Sequence, residues 1–145
     1  MKFPLAILAL ATAAQSQNLP DGPGKAVVEK VCSDCHGVAT IAALRKTRDA
    51  WDATVDEMTS RGAKGTDEEF DTIVNYLARY LGKVNVNKAT PKEIEEIADL
   101  TPAEAEAIAI YRSKNGDFKN FEELHKVKEI DPNKLDERKD RFAFQ

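Results

Sequence analysis

Apolar residues recur at helical spacing along the first half of the chain. Trp51, Val55 and Met58 stand at positions i, i+4 and i+7 of the segment 47–58, so they share one face of a helix. A shorter helix is predicted over Lys25 to Val31, where three valines are available for packing. Both segments therefore predict amphipathic helices with one buried face.

A third helix is predicted from residue 66 to residue 81. Thr66 and Glu69 have the spacing of a capping box, which marks its start. Gly82 follows the last periodic residue and is a natural helix stop. The apolar residues that repeat at helical spacing between these signals are Phe70, Ile73, Val74, Leu77 and Leu81.

The pattern changes after Gly82, where two related half-strings occur 30 residues apart. Each string predicts a short helix, a tight turn and a second helix that starts at a proline. Capping-box spacing begins at Thr90, Thr101 and Asn120, and Asn115-Gly116 marks the end of the longer helix. The second half is therefore predicted to be a compact helical unit. The strings are Ile94…Ile97…Leu100-Thr101-Pro102 and Leu124…Val127…Ile130-Asp131-Pro132.

The charge is mixed and mildly acidic. The 145 residues include 21 basic and 25 acidic side chains, for a net charge of −4. This balance argues against a protein that coats nucleic acid through a basic surface, although it leaves room for a local basic patch. The length allows one or two small domains.

The N-terminus is typical of a secretory signal peptide, which we predict over residues 1–16. Met1-Lys2 gives a positive start, residues 3–14 are mostly apolar, and Ala11-Thr12-Ala13 supplies small residues for cleavage. The apolar run is shorter than the ~20 residues that a membrane-spanning helix requires. We therefore expect an exported protein with no membrane span after cleavage.

The strongest chemical signal is Cys32-Ser33-Asp34-Cys35-His36, the C-x-x-C-H spacing of c-type haem attachment. Two thiols three positions apart can each add to a vinyl group of a porphyrin, and the adjacent imidazole is then placed as an axial iron ligand. Redox dithiols and zinc half-sites share the C-x-x-C spacing. The chain has only two cysteines and no βαβ pattern around them, so we predict one covalently attached haem c.

The segment from Gly24 to Leu81 resembles the small class I cytochromes c, especially the modules associated with quinoprotein dehydrogenases. In those modules Arg-x-x-Trp-x-x-x-Val-x-x-Met follows the haem motif, as Arg48, Trp51, Val55 and Met58 do here. The resemblance implies three helices around the haem, with the first and last crossing at Gly24 and Tyr76.

The predicted axial iron ligands are His36 and Met58. Met58 is the only methionine that remains after signal cleavage, although a methionine that fills a core gap is the commonest alternative. His125 is the only other histidine, and we interpret it as a solvated surface residue. We assign Arg45, Lys46 and Arg48 as candidate partners of the haem propionates, with a solvated loop as the equal alternative for these three. Trp51 is a candidate haem contact.

One departure from the cytochrome pattern concerns the support of His36. Many relatives keep a proline soon after the haem motif, and its carbonyl orients the proximal imidazole. No proline occurs here between Gly37 and Pro91. The sequence therefore leaves the partner of this imidazole unassigned.

The second half, 83–145, resembles the tandem helix-hairpin-helix domain, with secreted competence DNA receptors as the nearest branch. In that family each hairpin is a Gly-hydrophobic-Gly turn whose backbone approaches phosphate. The matching turns here are Asp99-Leu100-Thr101 and Glu129-Ile130-Asp131, which carry three carboxylates and no glycine. This half holds 12 Lys and Arg against 14 Asp and Glu, so phosphate binding is disfavoured. A local basic patch of Lys114, Lys119, Lys126 and Lys128 is the opposing possibility.

The sequence as a whole predicts an all-α protein with a cytochrome c domain at 20–82 and a helix-hairpin-helix domain at 83–145. We expect a periplasmic or secreted one-electron carrier that is not an enzyme, with its second domain used for docking or assembly. Its expected partner is a redox protein, with a quinoprotein dehydrogenase or terminal oxidase as candidates. The alternative hypothesis is an envelope DNA-binding protein that carries a haem.

Overall fold

The computed structural model describes residues 18–145, so the predicted signal peptide lies outside the described residues. Within them the protein is all-α apart from two short strands, as predicted. The helices and strands in chain order are α1 (Lys25–Cys32), α2 (Ala39–Ala42), α3 (Arg48–Ser60), α4 (Asp67–Tyr80), β1 (Val84–Asn85), α5 (Pro91–Ala98), α6 (Pro102–Asn115), a 3-10 helix (Phe121–Lys126), α7 (Pro132–Glu137), a second 3-10 helix (Lys139–Arg141) and β2 (Phe142–Ala143).

Helix α4 organises the first half, because both α1 and α3 pack against it. The predicted crossing of α1 and α4 is confirmed at Gly24, whose φ of +96° is left-handed. A Cβ on Gly24 would lie 3.0 Å from the Cβ of Tyr76 and 3.3 Å from the Cγ2 of Thr72. Glycine therefore allows both the turn into α1 and the close approach of the two helices.

The start of α4 follows the local signals, and its end differs from the expectation. The capping box of Thr66 and Glu69 is formed in both directions. The helix ends before Gly82 as predicted, but the C-cap is Leu81 with φ of −120°, and Gly82 does not have a left-handed φ. A Cβ on Gly82 would instead lie 1.8 Å from the carbonyl oxygen of Ala78. Close backbone approach, not turn geometry, makes glycine necessary here.

The second half forms its own apolar core around the α5–α6 hairpin. Ile94, Ala98, Ala105 and Ile108 are buried between these two helices and the C-terminal segments. The capping boxes at Thr90 and Thr101 and the prolines at the helix starts are formed as predicted.

The second repeat is less helical than the first. The predicted capping box at Asn120 is only half formed, because the Glu123 carboxylate accepts from the backbone N–H of Lys119 instead. The segment that follows is a 3-10 helix.

A parallel pair of two-residue strands was not predicted. Val84 of β1 pairs with Phe142 of β2, so the end of the chain returns to the segment that follows α4. Val84 and Phe142 are both buried in the second core. The C-terminal segment therefore closes the helix-hairpin-helix half against its own first strand.

The two halves are joined by hydrogen bonds as well as by the chain. Lys46 forms a parallel bridge with Gly82, and the backbone N–H of Lys83 donates to the Lys46 carbonyl at 2.8 Å. A guanidinium N–H of Arg141, near the C-terminus, donates to the Tyr80 carbonyl at 3.2 Å. The loop before α3 and the C-terminus thus hold the segment 80–83 from two sides.

Candidate haem-binding site

The two cysteines lie at the end of α1, and neither forms a disulfide. Cys32 is the last residue of the helix, whereas Cys35 is exposed. Cys32 is half-buried against the apolar core of the first half, called the first core below, which includes Val28, Val31, Ile73 and Leu77. Burial raises the pKa of the Cys32 thiol. The helix therefore presents one sheltered and one open thiol on the turn that leads to His36.

His36 is exposed directly after this turn. Its Nδ1 lies 3.4 Å from the carbonyl oxygen of Gly37, at the long end of the hydrogen-bond range. A metal-bound imidazole usually donates its other ring N–H to a carbonyl or carboxylate, which fixes the tautomer. The Gly37 carbonyl is thus a candidate for the partner that the sequence left unassigned, and it leaves Nε2 free to bind a metal.

Met58 lies in the last part of α3 and is half-buried. Trp51 and Val55, on the same helical face, are buried in the first core, so the predicted face is correct. The thioether of Met58 is the only one among residues 18–145.

Trp51 is held by groups of the protein itself. Its side chain is 1% exposed, and its indole N–H donates to the Leu81 carbonyl at 3.0 Å. The Lys46 ammonium lies 5.3 Å from the centre of its ring system. The structure therefore places Trp51 in the first core, beside the junction between the two halves (residues 80–83). There its indole N–H is hydrogen-bonded to the residue that ends α4.

Arg45 and Arg48 also have protein partners. Arg45 donates from Nη1 to the carbonyls of Ala42 and Leu44, and its Nε lies 3.4 Å from a carboxylate oxygen of Asp140. Arg48 donates to the Asn75 side chain at 2.7 Å. Neither guanidinium is simply solvated, and both would have to exchange or share these contacts in order to bind a propionate.

His125 is less solvated than the sequence suggested. Its ring is half-buried, its Nε2 lies 3.0 Å from a carboxylate oxygen of Asp136, and it packs edge-on against Phe121. The error arose because Asp136 belongs to α7, eleven residues away, and local polarity does not show that contact. His125 therefore lies at the edge of the second half with protein partners of its own.

The side chains of the first half fit a large apolar ligand that bears iron better than a bare metal ion. Like Cys32, five apolar side chains are half-buried on the core of this half and leave part of their surface open as an apolar rim: Val27, Val38, Ala42, Phe70 and Tyr80. Within residues 18–145, no group of three or more His, Cys, Asp and Glu side chains is arranged to hold a bare metal ion. Two free thiols, an exposed imidazole, a half-buried thioether and this apolar rim fit the donor set of haem c.

Sequence reasoning missed Val38 and Phe70 as rim residues. Val38 directly precedes the single turn of α2, and Phe70 begins the apolar stripe of α4. The stripe identified Phe70 as apolar, but it did not show that this side chain is only half-buried.

The first hairpin keeps its backbone form without glycine. Asp99 adopts a left-handed φ of +53°, a conformation for which glycine is the usual residue. Arg138 stabilises it by donating to the Asp99 carbonyl at 3.2 Å and to its carboxylate at 3.1 Å. A carboxylate that has an arginine partner thus occupies the turn at which the related domains place a glycine.

Comparison with known families gives two matches that overlap along the chain. Residues 22–107 match the haem-binding family of the quinohemoprotein amine dehydrogenase A, alpha subunit. The chain belongs to this haem-binding family. Residues 81–143 match the helix-hairpin-helix motif, which confirms the fold predicted for the second half. The overlap, residues 81–107, covers the segment after α4, the whole of α5 and the first part of α6.

Curated relatives match shorter parts of the chain. An uncharacterised protein of Haemophilus influenzae is 40% identical over 43% of the chain and 56% of its own length. ComE operon protein 1 of Bacillus subtilis is 45% identical over 32% of the chain and 23% of its own length. Endonuclease/exonuclease/phosphatase family domain-containing protein 1 of Danio rerio is 40% identical over 43% of the chain and 10% of its own length. The matched regions therefore span less than two thirds of each relative.

No solved structure matches the chain significantly. In the part of the chain from residue 18 onward, no helix is both long and apolar enough to cross a membrane.

Proposed function

We propose that the protein is an exported, single-haem c-type cytochrome that carries one electron and docks through its helix-hairpin-helix half. The observation that carries this proposal is the C-x-x-C-H turn at the end of α1, with both thiols free and the imidazole exposed, in a chain of a haem-binding family. The leader-like N-terminus supports export, because it has the positive start and short apolar run of a signal peptide.

In this proposal Cys32 and Cys35 hold the haem covalently, and His36 and Met58 bind its iron. When bound, the haem supplies a one-electron couple whose potential depends on the axial ligands. With His36 and Met58 both bound to the iron, no position would remain open for a substrate. In this proposal the chain's own residues bind and position the group without reacting themselves, which describes a carrier and not an enzyme.

The junction suits a docking role for the second half. The bonds from Lys46, Trp51 and Arg141 to the segment 80–83 connect the candidate haem site to the helix-hairpin-helix core. A redox partner bound to that core, such as a quinoprotein dehydrogenase or terminal oxidase, would thus meet a haem-bearing half at a fixed orientation.

Replacing Met58 by leucine tests the ligand assignment with little change in volume. We expect Met58→Leu to retain the haem, to lose the weak near-infrared band of sulfur-ligated ferric haem, to have a lower reduction potential and to bind carbon monoxide when reduced. Absorption spectroscopy of the oxidised and reduced holoprotein, with and without carbon monoxide, measures all of these except the potential, which a redox titration gives.

Met58→His is the matched control, because a nitrogen ligand should keep carbon monoxide out while lowering the potential. A wild-type protein that already binds carbon monoxide readily, or a near-infrared band that persists in Met58→Leu, would remove Met58 as the ligand. Carbon monoxide binding by the wild type would show an open iron position, and it would then favour an enzymatic or sensor role over electron transfer.

The second candidate is a DNA-binding protein that carries a haem, and the retained left-handed turn at Asp99 is the observation in its favour. The carboxylates of Asp99 and Glu129 oppose it. We expect no binding of duplex DNA at moderate salt, as measured by fluorescence anisotropy over a salt series. The variant Asp99→Gly with Glu129→Gly should gain weak, salt-sensitive binding. Tight wild-type binding with a steep salt dependence would favour this second candidate instead.

A further inference from the structure

Helix α6 has apolar residues on two opposite faces. Ala105 and Ile108 are fully buried in the second core. Ala103 and Ile110 lie on the other face, seven residues apart, and Ile110 is 44% exposed. Ala107, between them in the sequence, is only 9% exposed and belongs to the second core. An exposed isoleucine on a helix that has already buried one apolar face indicates a surface that is available for contact.

This outer face borders a groove of about 400 Å³. Its walls carry charges of both signs: Glu106 and Glu129 beside the alanines, and Lys114 toward the end of α6. Neither Glu106 nor Lys114 forms an ion pair with any residue in the described range 18–145. The groove is therefore a mixed-charge surface with an apolar centre.

The two unpaired charges are placed symmetrically. Glu106 precedes Ile110 by four residues, and Lys114 follows it by four. In an antiparallel pair of identical helices that cross at Ile110, residue 106 of each helix faces residue 114 of the other. A two-fold contact of this kind brings Glu106 opposite the partner's Lys114, and the same pair occurs twice.

We propose that the outer face of α6 binds a second copy of this chain, with two α6 helices antiparallel and Ile110 at the two-fold axis. The small side chain of Ala103 lets the helix backbones approach closely, and the two Glu106–Lys114 pairs select the antiparallel register. The carboxylates of Glu106 and Glu129 disfavour nucleic acid on the same face. A contact between two helices is smaller than a standard stable interface, so the dimer is weak and depends on concentration.

Sedimentation velocity of the full holoprotein over a concentration series tests the dimer. We expect a monomer–dimer equilibrium that Ile110→Asp abolishes, because two carboxylates would meet at the axis. Leu44→Asp is the matched control, since Leu44 is 43% exposed and lies in the other half. It should leave the dimer unchanged, and circular dichroism melting of both variants checks that they fold.

Charge reversal tests the register. Glu106→Lys alone or Lys114→Glu alone puts like charges together at two places and should weaken the dimer about tenfold. The two changes in one chain restore opposite charges and should restore the wild-type affinity. A wild type that is monomeric at every concentration, a dimer that survives Ile110→Asp, or a double reversal that fails to recover would each overturn the proposal.

Discussion

Replacing both Cys32 and Cys35 by serine is expected to abolish covalently bound haem. Serine keeps the size of each side chain but removes the sulfur that adds to a porphyrin vinyl group, and no other cysteine is present in the chain. On a denaturing gel stained for haem, the wild type should carry the stain at the mass of the protein. The double variant should carry none.

The single variants and a neighbouring control refine this result. Cys35 is exposed, so Cys35→Ser should leave folding unchanged while it removes one of the two attachments. Ser33→Ala changes a residue between the cysteines without touching either thiol, and it should keep the full stain. A wild type that loses its haem on the gel would show that this family member binds haem without covalent attachment, and the c-type assignment would then be wrong.

The parts of the fold that were predicted correctly are those whose signals lie within one helical turn. The capping boxes at Thr66, Thr90 and Thr101 each join residues three apart, so the sequence contains both partners of every bond. The proline starts of α5 and α6 depend only on a fixed φ and a missing N–H. The box at Asn120 has the same spacing but is only half formed, because the Lys119 N–H donates to the Glu123 carboxylate.

The parts that were missed depend on residues that are distant in the sequence. The strand pair of Val84 and Phe142 forms because the C-terminus returns to the junction, and two residues give no periodic pattern. The half-buried state of His125 depends in the same way on Asp136 in α7. The turn at Asp99 was placed correctly, but its left-handed φ was not predicted, and Arg138, which stabilises it, lies 39 residues further on.

The candidate haem site shows the same division. Cys32, Cys35 and His36 are contiguous, so their spacing alone predicts their chemistry. Arg45 and Arg48 were assigned from charge near the motif, and the structure shows that both already bind protein groups. Charge predicts that a partner exists, but tertiary packing decides which partner it is.

Replacing Gly82 by alanine is expected to destabilise the protein by about 3 kcal/mol, which is at the upper end for an overpacked site. The added Cβ would lie 1.8 Å from the Ala78 carbonyl oxygen and 2.9 Å from its carbon, and backbone atoms inside a helix cannot move aside as a flexible side chain can. The Lys46 bridge holds Gly82 from the other side. Relief of the clash therefore requires α4 and the junction to separate.

We expect the melting temperature of Gly82→Ala to fall by about 10 °C. Trp51, the only tryptophan, lies beside the junction, so its fluorescence should follow the same transition as the far-ultraviolet circular dichroism. Gly37→Ala is the matched control, because nothing lies within 4 Å of its added Cβ and its φ is not left-handed. It should melt within a few degrees of the wild type, and an equal loss in both variants would contradict the close approach of Gly82 to Ala78.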